Sequence, residues 1–382
     1  MKIGIDARMM GTAQATGVGS YIYNILTRIL TTDRENEYVI FVSPKNQELL
    51  THISHPHLTI VTTTIHWYTW QEQLILPFIY YRHTLDVLWV PQFNVPLLYR
   101  KTFIVTIHDL IQKKWRIGKT NPLKELIFNA VFDHAVLKSK ALLTVSHHTK
   151  QALVDAYKNL NGHKVIVTHL GVDKLFESQP NFDIINSVLR NLTITKPYLL
   201  YTGVHRPHKN LETLVKAFAK IKAKHDVALV LGGPRDDRYT ALTQTLASLD
   251  SKVLSDIILP GFVSPQTLVS LYCGALAYVV PSFDEGFGLN GLEAMQCKIP
   301  VLASNSTCLQ EIYTDAAYYF DPHSADSLVE AFETITSDKT LQANLVARGT
   351  ARVSEFNWDT TAQQTLHSLH SCQKDLLKTK NK

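Results

Sequence analysis

The stretch from Pro281 to Pro300, PSFDEGFGLNGLEAMQCKIP, contains a glycine-rich turn between a predicted strand and a predicted helix. The run before it, Ala275 to Val280, is apolar and β-prone, which is typical of a buried parallel strand. From Leu289 to Cys297 the apolar residues recur with helical spacing. The turn therefore lies at the carboxyl end of a strand, which is the edge where open α/β sheets bind ligands.

The glycines and carboxylates of this turn suit a ligand that carries both phosphates and hydroxyls. Gly286 and Gly288 lack a Cβ and let a ligand approach the backbone, while the N–H groups that open a helix favour phosphate. Glu285 precedes the helix and Glu293 lies about one turn inside it. Carboxylates repel phosphate but accept hydrogen bonds from hydroxyls, so we predict that one holds a transferred sugar and the other a ribose. The alternative is that both are solvated surface glutamates.

Strands and helices alternate along the chain from Lys2 to Asp173, and the alternation begins again at Tyr198. This pattern predicts an α/β protein with two doubly wound, Rossmann-like domains whose sheet edges face a cleft. We place the domains at residues 1–175 and 196–356, with a linker from Lys174 to Pro197 and a last segment at 357–382. The predicted strands are Ile3 to Ile5, Tyr38 to Val42, Leu58 to Val61, Asp86 to Val90, Phe103 to Thr106, Leu142 to Val145, Val165 to Thr168, Tyr198 to Thr202, Val227 to Leu231, Ile257 to Leu259, Ala277 to Val280, Val301 to Ala303 and Tyr318 to Phe320.

Composition narrows the class of protein further. Hydrophobic residues at 45% and charged residues at 19% exclude a disordered chain and fit a globular one. The longest apolar run, Leu268 to Phe283, falls short of the roughly 20 residues that a membrane-spanning helix needs. Asp6 interrupts the place where a signal peptide needs an unbroken apolar core. The four cysteines have no metal-ligand spacing, so we expect a cytoplasmic chain, either in solution or peripheral at the inner membrane face.

The positive charge is concentrated in the first part of the chain. Residues 1–170 carry 18 Lys and Arg against 11 Asp and Glu, a balance of +7, and the remainder carries 20 against 22, a balance of −2. A basic segment runs from Lys113 to Lys124, with apolar side chains between its cations. This segment predicts a surface for an anionic membrane or a phosphorylated acceptor, or else an ordinary solvated face. Nucleic acid is disfavoured because no nucleic-acid-binding motif accompanies the charge.

The glycine-rich stretch resembles the retaining glycosyltransferases of family 4, which have the GT-B fold and a Glu-(seven residues)-Glu pattern in this place. The resemblance covers nearly the whole chain. Its pieces include IGIDARMM at the N-terminus, TGVGSYIYNIL from Thr16, DVLWVPQFNVPLL from Asp86, VTIHDL from Val105, LTVSHHTKQAL from Leu143, THLGVD from Thr168, YTGVHRPHKN from Tyr201 and LPGFVSPQTLVSLY from Leu259. It implies that the last helix, from Asn357 to Leu377, crosses back onto the N-terminal domain.

The resemblance also implies a set of catalytic residues, namely Glu285, His108, Arg206 and Lys209. Arg206 and Lys209 would bind the donor diphosphate, although His208 competes with Arg206 for the second positive group. His108 would contact the donor sugar near the C6 hydroxyl of that sugar, and Asp109 would either orient the His108 ring or fix the loop rather than attack the sugar. No metal is expected, because these cations would stabilise the leaving phosphate and Asp236-Asp237 has the sequence of a solvated turn.

The donor-binding residues implied by the resemblance extend over both domains. They are Gly17, Gly19, Gly203, Gly261, Phe262, Val263, Gly286, Phe287, Gly288, Leu289 and Glu293. The nucleobase is expected near Gly261 to Val263, where the family reads the base through backbone groups. Asn290-Gly291 stands where relatives usually have proline and an apolar residue. We expect Asn290 to cap the following helix, which would begin more loosely.

Together these features predict a retaining glycosyltransferase that needs no cofactor and moves a hexose to a glycan or lipid-linked acceptor. The segments IGIDARMM, TGVGSYIYNIL and WQEQLILP resemble the mannosyltransferase-like branch, which makes GDP-mannose the first donor and UDP-sugars the second. Gly11, Gly17 and Gly19 do not form G-x-G-x-x-G, which argues against a nicotinamide enzyme. Two alternatives remain open, a GT-B nucleotide-sugar epimerase and a catalytically silent subunit that binds a sugar nucleotide.

Overall fold

The structure is a computed structural model that describes residues 1–11, 17–115, 121–236 and 238–380, with no side chains from 373 onward. The chain divides into two compact units. The first comprises Met1–Leu110, Thr120–Gly171 and Asn357–Lys382. The second comprises Ile111–Lys119 and Val172–Phe356. The chain therefore leaves the first unit after Leu110 and returns to it twice.

The first unit is built on a parallel sheet whose strand order is β3-β2-β1-β4-β5-β6-β7. The five inner strands are buried, nearly continuous apolar runs, as expected for a sheet covered on both faces, whereas the edge strands β3 and β7 are only partly buried. Their bounds are β1 Lys2–Asp6, β2 Glu37–Val42, β3 Leu58–Thr62, β4 Val87–Val90, β5 Phe103–Ile107, β6 Ala141–Thr144 and β7 Val165–Val167.

The second unit holds another parallel sheet, with the order β10-β9-β8-β11-β12-β13. Its bounds are β8 Tyr198–Thr202, β9 Ala228–Gly232, β10 Ile257–Gly261, β11 Ala277–Val280, β12 Val301–Ser304 and β13 Ala317–Phe320. In both units the strand order reverses beside the first strand. The loops that follow β8 and β11 therefore lie next to each other at a topological switch point, where such sheets bind ligands.

Helices follow the strands in both units. In chain order they are α1 Gly17–Thr32, α2 Trp70–Leu74, α3 Leu76–Tyr81, α4 Ile111–Lys114, α5 Pro122–Lys138, α6 His147–Ala156, α7 Phe182–Asn191, α8 Leu211–Lys222, α9 Thr240–Ala247, α10 Ser251–Leu254, α11 Pro265–Gly274, α12 Leu289–Gln296, α13 Leu309–Tyr313, α14 Ala325–Ser337, α15 Lys339–Val353 and α16 Trp358–Lys380. Within the described ranges, no helix is long and apolar enough to cross a bilayer.

The last helix, α16, packs against α1 in the first unit. Arg28 on α1 forms a 2.7 Å ion pair with Asp359, and the ring of Trp358 lies 6.2 Å from that of Tyr21. Gly171 is required beside it, since a Cβ there would lie 2.2 Å from the Trp358 backbone nitrogen. The chain thus returns after Phe356 to complete the core of the first unit.

The predicted α/β fold with two wound parallel sheets is confirmed, and each predicted strand overlaps an observed one. One difference concerns the region expected to be a linker. It contains α7, whose Ile185 and Leu189 pack near Gly274 at the end of α11. The two prolines that suggested a linker flank this helix instead of interrupting it.

Candidate active site

The turn after β11 has the backbone geometry that its glycines predict. Gly288 adopts a left-handed conformation, with φ of 87°, at the start of α12. A Cβ there would lie 2.5 Å from the Tyr313 hydroxyl, which donates a hydrogen bond to the Gly288 carbonyl. Glycine is therefore required both for the backbone angle and for the close approach of Tyr313.

Glu285 lies in this turn and forms an ion pair with Lys209. The Lys209 ammonium is 2.6 Å from one carboxylate oxygen and 2.8 Å from the other, and the Ser282 hydroxyl donates to the first at 2.7 Å. Burial alone would raise the pKa of Glu285, but Lys209 and Ser282 together hold it below its usual value. Glu285 is therefore a carboxylate at neutral pH, with its oxygens already oriented.

The loop after β8 brings Lys209 to Glu285. It ends at Asn210, which has a left-handed backbone with φ of 56° and begins α8. The Asn210 amide donates to the carbonyl of Pro281 at 2.9 Å and to that of Pro322 at 2.7 Å. Because Pro281 opens the Glu285 turn, this side chain ties the loops of β8 and β11 together.

His208 and Arg206, the two candidates for the second positive group, differ in charge. Burial, aided by the adjacent Lys209, lowers the pKa of His208 to about 4, so its ring is neutral at physiological pH. Arg206 is 46% exposed and lies 3.8 Å from Asp236. Of the two candidates, only Arg206 carries a positive charge near neutral pH.

The surroundings of Glu293 raise its pKa, whereas those of Glu285 lower it. It lies on α12, where burial raises its pKa to about 7, with a smaller contribution from the charge of Asp173. The Tyr272 hydroxyl donates to one of its oxygens at 3.0 Å. The two carboxylates therefore differ in protonation, Glu285 being ionised and Glu293 close to half-protonated at pH 7.

The expectation that Asn290 caps α12 is wrong. Its side-chain amide instead donates to the Thr202 hydroxyl at the end of β8, at 3.2 Å, and α12 begins without a side-chain cap. The neighbouring Gly291 gives room for Tyr313, because a Cβ at this position would lie 2.3 Å from the Tyr313 hydroxyl. Asn290 and Gly291 stand where relatives usually have proline and an apolar residue. In this structure Asn290 contacts Thr202, whereas Gly291 makes room for Tyr313.

The predicted base-reading segment lies at the end of β10. Gly261 has φ of 70° and open space at its missing Cβ, and the Phe262 side chain is 57% exposed. The Gly261 carbonyl accepts a hydrogen bond from Gly233 at 2.7 Å. Gly233, which we did not predict, allows β8 and β9 to approach, since its Cβ would lie 2.1 Å from the Gly203 carbonyl. The sequence signal for Gly233 was the Gly-Gly-Pro tripeptide that begins at the last residue of β9.

His108 lies after β5 in the first unit. Its Nε2 donates to the Pro91 carbonyl at 3.0 Å, and its ring packs edge-on against Tyr21. Burial lowers the pKa of His108 to about 4, so the ring is neutral and Nδ1 is left as an acceptor. Gly17 and Gly19 open α1 in the same unit; Thr16 of that motif lies outside the described residues.

A buried polar cluster at the carboxyl end of β1 joins residues of three motifs, IGIDARMM, WQEQLILP and DVLWVPQFNVPLL. Arg8 pairs with Asp6 at 2.7 Å and with Glu72 at 2.6 Å, and all three side chains are at least 95% buried. Asn94 donates to the same Glu72 oxygen at 2.6 Å. The sequence showed charged residues in otherwise apolar segments but not that they meet.

The basic segment from Lys113 to Lys124 is divided between the two units. Lys114 forms a 3.1 Å ion pair with Asp284, and Trp115 stacks on Phe283 with ring centroids 5.6 Å apart. These two side chains therefore contact the Glu285 turn within the second unit. Arg116, Ile117 and Lys119 lie outside the described residues.

Asp236 is not the solvated residue that the sequence suggested. Arg238 binds both of its oxygens, at 2.8 and 2.6 Å, and this contact lowers the pKa of Asp236 to about 2. Its neighbour Asp237 lies outside the described residues.

Residues 189–352 match the sequence family described as "Glycosyl transferases group 1", and this match covers both candidate carboxylates and Lys209. This match assigns the region from residue 189 to residue 352 to a family of retaining glycosyltransferases. Its two wound parallel sheets are those of the GT-B fold. The predicted family and enzyme class are thereby confirmed.

Relatives of this glycosyltransferase include enzymes of bacterial surface polysaccharide. It is 27% identical to O-antigen chain mannosyltransferase B of Escherichia coli over 281 residues, which is 73% of this chain and 72% of that protein. It is 26% identical to O-antigen chain mannosyltransferase RfbU of Salmonella typhimurium, over 78% of this chain and 77% of that one. Among solved structures, Anabaena Alr3699/HepE in complex with UDP and glucose matches with a TM-score of 0.75 and 17% identity, covering 97% of this chain and all of that one.

Proposed function

We propose that this glycosyltransferase moves a hexose from a nucleotide-diphosphate sugar to a glycan or lipid-linked acceptor in surface polysaccharide synthesis. The observation that carries the proposal is the pair formed by Lys209 and the ionised Glu285 in the turn before α12. Mannose from GDP-mannose is the first candidate, because the two O-antigen relatives are named as mannosyltransferases. UDP-sugars come second, since the HepE structure is a complex with UDP and glucose.

Lys209 and Arg206 are suited to the charge that develops in the reaction. Breaking the bond between the sugar C1 and the diphosphate oxygen leaves negative charge on the diphosphate. An ammonium has three N–H bonds, of which Lys209 directs two at Glu285, so the third is available to a phosphate oxygen. The exposed Arg206 guanidinium supplies the second positive group. Such preorganised cations stabilise a leaving group without needing to reorganise during the reaction.

The two carboxylates are assigned to different ends of the donor. Glu285 accepts hydrogen bonds from hydroxyls of the sugar, since its pKa keeps it ionised beside Lys209. Glu293 accepts from the ribose of the nucleotide. For His108 we retain the role that the resemblance implies, contact between its Nδ1 acceptor and a hydroxyl of the donor sugar. Retention of configuration follows if the acceptor attacks from the face that the diphosphate leaves, giving its proton to the departing phosphate oxygen.

The assignment is tested by measuring nucleoside diphosphate release from a panel of nucleotide sugars. Glu285→Gln is expected to lower kcat about a hundredfold with little change in KM, because it weakens contacts made at the reacting sugar. Glu293→Gln is expected to raise the donor KM about tenfold, the cost of one charge-assisted hydrogen bond. Activity should survive EDTA, because Lys209 and Arg206 supply the positive charge.

The matched control is Glu330→Gln, since Glu330 is an exposed carboxylate on α14. Unchanged kcat and KM in both site variants would overturn the roles assigned to the two carboxylates. Binding of a nucleotide sugar without turnover by the wild-type protein would favour the silent binding subunit. Interconversion of nucleotide sugars without transfer would favour the epimerase.

We also propose peripheral attachment to an anionic membrane, through a surface that differs from the predicted segment. The outward side of α2 and α3, here called the apolar face, consists of Trp70, Leu74, Ile75 and Phe78. These side chains are 66%, 53%, 41% and 62% exposed, respectively. The opposite side of the same helices is buried, so helical spacing separates the two sides.

Positively charged residues lie at the C-terminal end of α3. Arg82 follows α3 directly, and the Lys101 ammonium lies 5.6 Å from the centre of the Tyr81 ring on α3. The Tyr81 hydroxyl accepts a hydrogen bond from the Arg100 backbone, which keeps these residues together. Apolar side chains bordered by cations are typical of a helix that lies in the interface of an anionic bilayer.

A further inference from the structure

A cluster of hydroxyl groups connects Glu293 to the end of β8. The Thr202 hydroxyl lies 3.0 Å from that of Tyr272 and 3.1 Å from that of Tyr278. The Asn290 amide donates to Thr202, and Tyr272 donates to Glu293. Thr202, Tyr272 and Tyr278 are buried, so each of their polar hydrogens needs an acceptor inside this cluster.

When Glu293 is ionised, the hydrogens of this cluster fit a chain of donors that runs from Asn290 through Thr202 and Tyr272 to Glu293. Tyr278 donates its only hydroxyl hydrogen to the Thr202 carbonyl at 3.1 Å, and Tyr272 donates its own to Glu293. An amide nitrogen donates and does not accept, so the Thr202 oxygen must accept from Asn290. The Thr202 hydrogen is then available to the Tyr272 oxygen, which at 3.0 Å is the nearer of the two tyrosine oxygens. Bonds that all run in one direction polarise and strengthen one another.

We propose that Asn290, Thr202 and Tyr272 are positioning residues that orient the Glu293 carboxylate toward the ribose hydroxyls of a nucleotide. None of the three is assigned a contact with the nucleotide. The ribose assignment rests on the proposed function, whereas the orientation of Glu293 does not. Tyr272 holds Oε2 of Glu293, which leaves Oε1 to accept from a ligand hydroxyl.

The protonation of Glu293 gives the proposal a direct readout. Burial raises its pKa to about 7, the Tyr272 hydrogen bond opposes that rise, and Asp173 adds to it. Among the described residues, Tyr278 and Cys297 are further titratable groups that interact with this carboxyl. When Glu293 is ionised, it can accept one hydrogen bond from Tyr272 and another from a ligand hydroxyl. Nucleotide affinity should therefore increase as the pH rises through about 7, the pKa of Glu293.

The experiment follows the carbonyl stretch of protonated Glu293 by infrared titration, identified by its loss in Glu293→Gln. The affinity of the same proteins for GDP and UDP is measured from pH 5.5 to 8.5. In Tyr272→Phe and Thr202→Val we expect the midpoint to rise by about one pH unit and the affinity at neutral pH to fall about tenfold, since one hydrogen bond to a charge is lost or weakened.

Conservative variants separate positioning from a general structural effect. Thr202→Ser keeps the hydroxyl and should restore the wild-type midpoint. Asn290→Asp replaces the donor by an acceptor of the same shape and should raise the midpoint, because Thr202 must then donate to residue 290. Tyr318→Phe removes a hydroxyl from another tyrosine of the same unit and should change nothing.

Midpoints in Tyr272→Phe and Thr202→Val equal to that of the wild type would overturn the proposal. So would a raised midpoint in Thr202→Ser equal to that in Thr202→Val. If the wild-type protein binds neither GDP nor UDP, the ribose assignment fails together with the proposed function. The infrared titration still decides, in that case, whether these residues orient Glu293.

Discussion

Replacing Lys209 by methionine tests the pair on which the proposed function rests. Methionine keeps most of the apolar stem but removes the ammonium that lies 2.6 and 2.8 Å from the two oxygens of Glu285. The Glu285 carboxylate then loses the two hydrogen bonds from Lys209 and keeps the one from the Ser282 hydroxyl. We expect losses of both stability and turnover, each with its own magnitude.

The loss of stability follows from burial. The side chains of Lys209 and Glu285 are only 21% and 12% exposed, and removing one partner of a buried pair costs about 3–5 kcal/mol. Because both side chains retain some contact with solvent, we take the lower value, about 3 kcal/mol. For a domain of roughly 150–250 residues each kcal/mol lowers Tm by about 2–4 °C, so a decrease of about 6–12 °C is expected.

The dependence of this loss on pH has a defined sign. In the wild type the pKa of Glu285 lies below its unfolded value, so the pair contributes stability above the unfolded pKa and loses it as the pH falls through the folded pKa. In Lys209→Met burial is no longer opposed by the ammonium, and the pKa of Glu285 should rise. The difference in Tm between the two proteins should therefore be largest near neutral pH and shrink in acid.

The assay is thermal unfolding of four proteins: wild type, Lys209→Met, Glu285→Gln and the double variant. Removing both charges should recover much of the stability lost in Lys209→Met, which measures the coupling between the partners. Turnover should fall about 10²- to 10³-fold in Lys209→Met, because a preorganised charge at the leaving group is lost. A Tm difference that does not change with pH, or additive effects in the double variant, would refute this account of the pair.

Two further predictions concern other parts of the chain. Gly291→Ala should destabilise the protein by about 1–3 kcal/mol through overpacking against Tyr313, because the new Cβ would lie 2.3 Å from its hydroxyl oxygen and 2.4 Å from its ring carbon Cζ. In thermal unfolding the losses caused by Gly291→Ala and Tyr313→Ala should not add in the double variant, since Tyr313→Ala removes the ring that the new methyl group meets; additive losses would contradict the contact. In co-sedimentation with vesicles that contain anionic lipid, replacing both Trp70 and Phe78 by serine should weaken binding at least tenfold, since each apolar side chain buried contributes about 1.5–3 kcal/mol. As a control, Phe182→Ser changes a 76% exposed side chain in the second unit and should bind vesicles like the wild type. Two results would overturn the assignment of the apolar face: binding that persists in the Trp70 and Phe78 variant, or no binding by the wild type at low salt.

The strands and the Glu285 turn were predictable because their signals are local. A buried parallel strand is an apolar run, and glycine at residue 288 is demanded by a backbone angle and by a neighbouring hydroxyl. Two carboxylates flanking such a turn restrict the ligand before any tertiary contact is known. This part of the site therefore followed from composition and spacing within one segment.

The side chains that contact the residues of the Glu285 turn and of α12 were not predictable, because they come from segments distant in the sequence. Asn290 had a reasonable local role as a helix cap, but its amide bonds to Thr202, which lies 88 residues away. Only the packing of α12 against the end of β8 decides between the two roles. The protonation of Glu293 and His208 likewise depends on how much of the fold covers them, which a linear pattern does not record.

The assignment of Ile111–Lys119 to the second unit affects how the protein can be dissected. A fragment limited to Val172–Phe356 contains the whole region that matches the family, yet it lacks Lys114 and Trp115. Asp284 would lose its lysine partner, and the ring of Phe283 would lose the indole stacked on it. The second unit is thus interleaved in sequence with the first, and expressing it alone would require joining the segment that contains Lys114 and Trp115 to the fragment Val172–Phe356.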